Sequence, residues 1–326
     1  MNDVLYAKSI DPILDKIDFS KLGKNVAIKV HFGEKGCVTY LNPEIVKKVY
    51  KKLLSLGKTA TLIECNVLYR GNRSNTTEHI KTAHSHGFDM PIDILDGEHG
   101  QDTIEINGCK IGAGIKKYDS LIVISHFKGH IAAGFGGSIK NVGMGLGSRA
   151  GKLDMHAGIS PIITPKCIGC QACIKSCDAK AITLTKDNKA VIDPKRCVGC
   201  AMCVAVCPNG AVQIPWSARS SEELQKRIAE YTKAILSLFP ESIFINVLEN
   251  ITKDCDCFGT VQKPIMNNVG ILASTNIVAA DKASLDLANK HSDNKFSKLN
   301  SIDKESQITQ AEKADLGSGK YKLIQL

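Results

Sequence analysis

"PKCIGCQACIKSCDAKAI", Pro165 to Ile182, returns thirty residues later as "KRCVGCAMCVAVCPNGAV", Lys195 to Val212. Each copy spaces its cysteines C-x2-C-x2-C-x3-C, so eight of the chain's thirteen cysteines fall in one short stretch. Three thiolates this close together can wrap three irons of a cubane, while the fourth, carried onward by a short helix, reaches the neighbouring cubane. The spacing therefore predicts two [4Fe-4S] clusters with ligands exchanged between the copies. Cys167, Cys170, Cys173 and Cys207 would hold one, and Cys197, Cys200, Cys203 and Cys177 the other. A structural zinc site would use C-x2-C pairs and gives no reason for two runs of four.

The segment 159–216 resembles bacterial dicluster ferredoxins over its full length, which implies a small α+β module that carries electrons. It departs from that pattern at Asp178, where a proline usually follows the fourth cysteine, as Pro208 does in the second copy. The thiolate is kept, and the added carboxylate is expected to disfavour the reduced state of the cluster ligated by Cys177.

On both sides of this module the pattern is α/β. "NVAIKVHF" (Asn25–Phe32) reads as a buried strand, Pro43 opens a helix with Ile45, Val46, Val49, Tyr50 and Leu53 on one face, and "KTATLIEC" reads as a second strand. Thr77 is expected to cap a helix stopped by Gly87, "PIDILD" and "DTIEIN" to add neighbouring antiparallel strands, and "DSLIVISHFKGH" to form another buried strand. After the module, Ser221–Phe239 is an amphipathic helix stopped by Pro240, and "SIFINVLEN", "VGILAST" and a helix after Ala280 continue the alternation. Strands alternating with helices predict a mostly parallel sheet. The expected organisation is one α/β domain, residues 1–158 and 217–326, interrupted by the ferredoxin-like domain at 159–216. The polar end of the chain reads as a surface helix with a loosely held tail.

The totals agree with this. With 326 residues, 43% of them hydrophobic, the chain is long enough for one sizeable core plus a small module. It shows no secretory leader and no apolar run near the ~20 residues that span a bilayer, so a soluble, cytoplasmic protein is expected, with no membrane partner. The formal charge of +9 falls to about +5 once two clusters of about −2 each are counted. That mild excess suits an acidic redox partner protein. Nucleic acid is not expected, given 5% aromatics and no recognition motif.

In a parallel sheet, ligands bind beyond the carboxyl ends of the strands. Three predicted strands end in polar chemistry: His31 with Glu34, then Glu64, Cys65 and Asn66 followed by Tyr69, Arg70 and Arg73, and finally His126, Lys128 and His130. Together they predict a cleft in which His126, Lys128, His130, His31 and Glu34 orient a substrate or move protons. "GFGGSIKN" (Gly134–Asn141) fits neither G-x-x-x-x-G-K-[ST] nor G-x-G-x-x-G, so its glycines serve either helix packing against the module or an anion. Cys255 and Cys257, C-x-C beside Asp254 and Asp256, are candidate ligands for a further metal. Cys37, Cys65 and Cys109 read as packed thiols, and His84 and His86 as surface histidines.

"KVHFGEKG" (Lys29–Gly36), "LYRGNRSNTTEH" (Leu68–His79), "SHFKGHIAAGFGGSIKNVGMG" (Ser125–Gly145), "DCDCF" (Asp254–Phe258) and "GILASTNIVAADKASLDL" (Gly270–Leu287) occur in this order. Together they resemble the iron–sulfur-associated family called domain of unknown function 362, which implies the ferredoxin link but no particular reaction. Members usually carry an aspartate in the segment matching Ile265–Asn276, where this chain has Asn267, Asn268 and Asn276; a role for that aspartate is not carried over. Two readings follow. In one, the clusters relay electrons to a substrate or metal centre in the cleft of an oxidoreductase. In the other, the protein is a non-catalytic electron-transfer or assembly protein whose α/β part docks a partner.

Overall fold

The strand Ser120–His126, SLIVISH, is buried at every position, which requires that both faces of its sheet be covered. In the computed structural model, which describes residues 1–326, it lies inside an eight-stranded sheet. The spatial order is Tyr321–Gln325, Asn2–Ala7, Gly270–Ser274, Ser242–Leu248, Ser120–His126, Asn25–Lys29, Thr59–Glu64 and Ile92–Ile94. Only Gly270–Ser274 runs against its neighbours. All other pairings are parallel, so the protein is a mixed α/β structure with a large, mostly parallel sheet.

Side chains alternate across a strand, and the two cores follow that alternation. Leu121 and Val123 enter a core of 42 buried residues, whereas Ile122 and Ile124 enter one of 28 on the other face. Helices Ser138–Leu146, Ser221–Leu236 and Ile277–His291 close the first core, and Ile10–Lys16 and Pro43–Ser55 the second. Strand Ser242–Leu248 pairs with Ser120–His126, so chain before and after the cysteine-rich segment shares one sheet.

Several local expectations are corrected. Ile92–Ile94 joins the main sheet beside Thr59–Glu64, while Thr103–Ile106 pairs with Cys109–Gly112 in a separate hairpin; the two expected neighbours never pair. The helix Thr76–Ser85 is capped by Asn75, which accepts from the Glu78 amide, and not by Thr77. The polar tail is not loose, because Tyr321–Gln325 forms a sheet edge against Asn2–Ala7. No residue of that strand is fully buried, as suits the edge of a sheet. His86 is not simply a surface residue: it stacks on Tyr40 with ring centroids 4.1 Å apart.

The cysteine-rich segment is built from small pieces. Ile162–Ile163 pairs with Val212–Gln213, and Ile182–Leu184 with Ala190–Ile192. The short helices Ala172–Lys175 and Met202–Val206 start from left-handed Gln171 (φ 63°) and Ala201 (φ 59°). Gly169 and Gly199 also match, at φ 69° and 70°, where glycine avoids the Cβ penalty. The sequence repeat is therefore also a backbone repeat. Its own core has only seven buried residues, three of them cysteines.

Candidate functional site

Strands Ser242–Leu248, Ser120–His126, Asn25–Lys29 and Thr59–Glu64 are adjacent and parallel, so their carboxyl ends open on the same side. From Asn25–Lys29 the chain first builds outward to Thr59–Glu64 and later resumes on the opposite side with Ser120–His126. Such a reversal leaves a crevice between diverging connections. A cavity of about 510 Å³ lies there, and His31, Glu64, Arg73, His126, Lys128 and His130 all reach its wall.

The structure unites most of the expected cleft residues but gives them different duties. His126 Nδ1 bonds both carboxylate oxygens of Asp256, at 2.9 and 3.0 Å, and its Nε2 bonds the Glu249 carbonyl at 2.9 Å. The carboxylate and the carbonyl are both acceptors, so the ring is held between two acceptor groups. Lys128 Nζ lies 2.8 Å from the same carboxylate. Burial by itself would raise the Asp256 carboxyl, but the charges of His126 and Lys128 overcome it and hold the group well below the usual carboxylate range. His126 and Lys128 thus anchor Asp256 between Cys255 and Cys257 while also lining the cavity.

The expectation for Glu34 is corrected. It is buried and absent from the cavity wall; its carboxylate accepts from the Asn72 amide at 3.0 Å and stands 3.6 Å from Arg73 Nε. Its role is to hold the loop after Thr59–Glu64. Arg73 is fully buried, donates to the Tyr69 hydroxyl at 2.6 Å, and keeps Nε and Nη1 without a hydrogen-bond partner. Glu64 is also engaged, 2.8 Å from Lys29 Nζ, whose burial pulls it down to about 8 against the attraction of Glu64.

His31 accepts from the Gly33 amide at Nδ1, 3.2 Å away, and His130 is tied at one ring nitrogen. The Nδ1 of His130 accepts from the amides of Ala132 and Ala133, at 3.2 and 2.9 Å, and burial, then Lys140, keeps its ring neutral. His31 turns Nε2 toward Cys257 Sγ at 3.8 Å. The sulfurs of Cys255 and Cys257 lie 2.6 Å apart, longer than the ~2.05 Å of a disulfide. A hydrogen bond from Cys257 pulls the Cys255 thiol downward, aided by Lys140 and Lys128. His31, Cys255 and Cys257 offer ligand atoms all within 4.8 Å of one another.

The glycine-rich stretch is explained by packing. The amides of Ser138 and Ile139, at the start of helix Ser138–Leu146, donate to the Asp281 carboxylate at 2.7 and 2.9 Å. An internal carboxylate fills the place an external anion would take. A Cβ on Gly143 would meet the Ile228 carbonyl at 2.3 Å, so its partner is helix Ser221–Leu236 and not the cysteine-rich segment. Asn276 caps helix Ile277–His291 by accepting from the Ala279 amide at 2.9 Å.

The eight repeat cysteines gather in two places. Cys167, Cys170, Cys173 and Cys207 line one small cavity, and Cys177, Cys197, Cys200 and Cys203 another, each of about 20 Å³. Backbone amides of Ala190, Ala181 and Ala211 approach the sulfurs of Cys167, Cys177 and Cys207 at 3.2 to 3.3 Å. Ala201, on the wall of the second small cavity, packs with Leu68, which lines the large one. Trp216, at the end of the segment, lines the large cavity and meets His156 edge-on. Sequence reasoning missed Lys152, His156 and Trp216 on this wall, because they lie beyond the strand ends that it inspected.

Fold and site define a mixed α/β protein with a ligand-sized cavity beside a thiol-rich segment. The chain belongs to the family described as Domain of unknown function (DUF362), whose model matches residues 26–286. No curated protein matches it. The lactate racemase apoprotein from Thermoanaerobacterium thermosaccharolyticum is similar at 13% identity and a TM-score of 0.36, over 76% of this chain and 50% of that one. This chain therefore spans about half the length of that structure. No helix is long and apolar enough to cross a membrane.

Proposed function

We propose that the cysteine-rich segment is a ferredoxin-like module holding two [4Fe-4S] clusters, and that the protein is an oxidoreductase delivering electrons to a substrate or metal centre in the large cavity. The observation that carries this reading is the division of the eight repeat cysteines into two quartets around separate cavities. Each cluster, when bound, would take up and release one electron at a time. The chain's own groups suit that task. Amides donated to Cys167, Cys177 and Cys207 offset thiolate charge and favour the reduced state. Ala201 of the second small cavity shares a buried cluster with Leu68 of the large one, which favours the quartet of Cys177, Cys197, Cys200 and Cys203 as the exit toward the cavity. The basic balance of the chain favours an acidic redox partner protein as donor, and thiolate clusters suit a reducing cytoplasm.

The test is anaerobic purification or reconstitution followed by iron and sulfide analysis and electron paramagnetic resonance after reduction. About eight irons and eight sulfides per chain, with signals of two interacting reduced clusters, are expected. Iron that stays near zero after reconstitution would overturn the proposal. Alanine at His130, which carries a free ring nitrogen on the cavity wall, should leave the iron unchanged while blocking reoxidation by a substrate. If His130→Ala instead only weakens a protein partner, the docking reading replaces catalysis.

A further inference from the structure

We propose that Cys255, Cys257 and His31 form an open three-ligand site for a soft divalent transition-metal ion of the zinc class, with its remaining position facing the large cavity. This deepens the reading of a metal centre in the cavity but stands on different residues from the two cysteine quartets.

The donor set fits such an ion. Two sulfurs and one imidazole nitrogen suit zinc, whereas magnesium and calcium require oxygen ligands. The oxygens that could compete are taken: Asp256 is held by His126 and Lys128, and Glu64 by Lys29. Tetrahedral zinc with ordinary bond lengths places a sulfur and a nitrogen ligand about 3.6 Å apart and two sulfurs about 3.8 Å apart. Cys257 Sγ and His31 Nε2 already stand 3.8 Å apart. To hold the ion the two sulfurs must open from 2.6 Å.

The surroundings support the ligand loop and keep the fourth position accessible. Asp256 sits between the two cysteines, and the ties from its carboxylate to His126 and Lys128 fix the peptide that bears both sulfurs. The Glu34 amide donates to the Asp256 carbonyl at 2.8 Å, binding that loop to the His31 loop. All three ligand residues line the large cavity, the arrangement of a catalytic site with three protein ligands and one exchangeable position. Two thiolates would cancel the charge of a divalent ion. Lys140 and Lys152 on the wall then favour a small anionic ligand at that position.

The test is metal analysis of the iron-replete chain with and without added zinc, combined with zinc-edge X-ray absorption. One zinc per chain is expected beside the full iron complement, with two sulfur and one histidine nitrogen neighbours and a further light atom. Cys255→Ser, Cys257→Ser and His31→Gln should each lower bound zinc at least tenfold while iron is retained, and Cys109→Ala should bind zinc normally. A four-sulfur environment, zinc content indifferent to all three substitutions, or a Cys255–Cys257 disulfide in the zinc-free protein under anaerobic conditions would overturn the assignment. The absorption spectrum of the unaltered protein decides even if a variant misfolds. Loss of iron alone would count against the electron-transfer reading and not against this site.

Discussion

The two thiol-bearing regions of this protein are organised in opposite ways. In the cysteine-rich segment, seven buried residues, three of them cysteines, form the core, and the strands are two or three residues long. At the large cavity, Cys255 and Cys257 sit on a loop between Ser242–Leu248 and Gly270–Ser274, strands of a sheet flanked by cores of 42 and 28 buried residues, and the ion pairs that hold that loop reach across 128 and 130 residues of chain. The segment has little apolar burial to hold it together without its ligands. The cavity loop has its position fixed by the sheet before any ligand arrives.

Under the two-cluster proposal Cys200→Ser removes a ligand and should cost the segment most of its order, so that a protease cuts within residues 159–216 at least tenfold faster while the sheet resists. Equal protection of the variant and the parent would mean that the segment folds without its ligands. By contrast, Cys255→Ser should leave cleavage there unchanged.

The next largest effect should fall on the anchor of the cavity loop. Asp256→Asn leaves His126 and Lys128 buried without their counter-charge, at a cost of about 3 to 5 kcal/mol, measurable by denaturant unfolding at pH 7. The folded carboxyl lies below its unfolded value of ~3.9, so between those values the unfolded chain binds more protons. The stability due to Asp256 is therefore fully present above about pH 5 and is lost as the pH falls below about 4. Asp256→Asn should flatten that acid limb; an unchanged limb would show that the anchor is not ionic.

Two smaller effects sharpen the contrast within the frame. Gly143→Ala forces a Cβ toward the Ile228 carbonyl and should cost about 1 to 3 kcal/mol by overpacking, seen as a lowered Tm. Ser220 caps helix Ser221–Leu236 in a reciprocal box with Glu223, and Ser220→Ala should cost about 1 kcal/mol. A loss well above that would show that the cap also holds the segment against the cavity mouth.

The legible parts of the molecule share one property: their information is local. The cysteine spacing anticipated both quartets, the apolar runs located the central strands, and Pro43 and Pro240 marked helix ends that the structure keeps near those positions. Strand-end reasoning brought His31, His126, Lys128 and His130 to one cavity. What it could not assign was duty, because a histidine next to a strand end looks the same whether it faces a ligand or a buried aspartate. Asp281 shows the same limit. It lies more than 140 residues beyond the helix start it occupies, and nothing near Ser138 announces it.

Sequence by itself determined the class of the fold, the grouping of the eight repeat cysteines and the set of strand ends that carry polar chemistry. Period, spacing and turn residues act over a few positions, and a reader of the chain sees them directly. Tertiary structure alone decided that the tail closes the sheet edge, that Asp256 takes up the charges of His126 and Lys128, and that His31 meets Cys255 and Cys257. Each of these depends on which strands become neighbours. That choice is made by burying two faces of one sheet, and it brings together residues whose separation along the chain carries no trace of their contact.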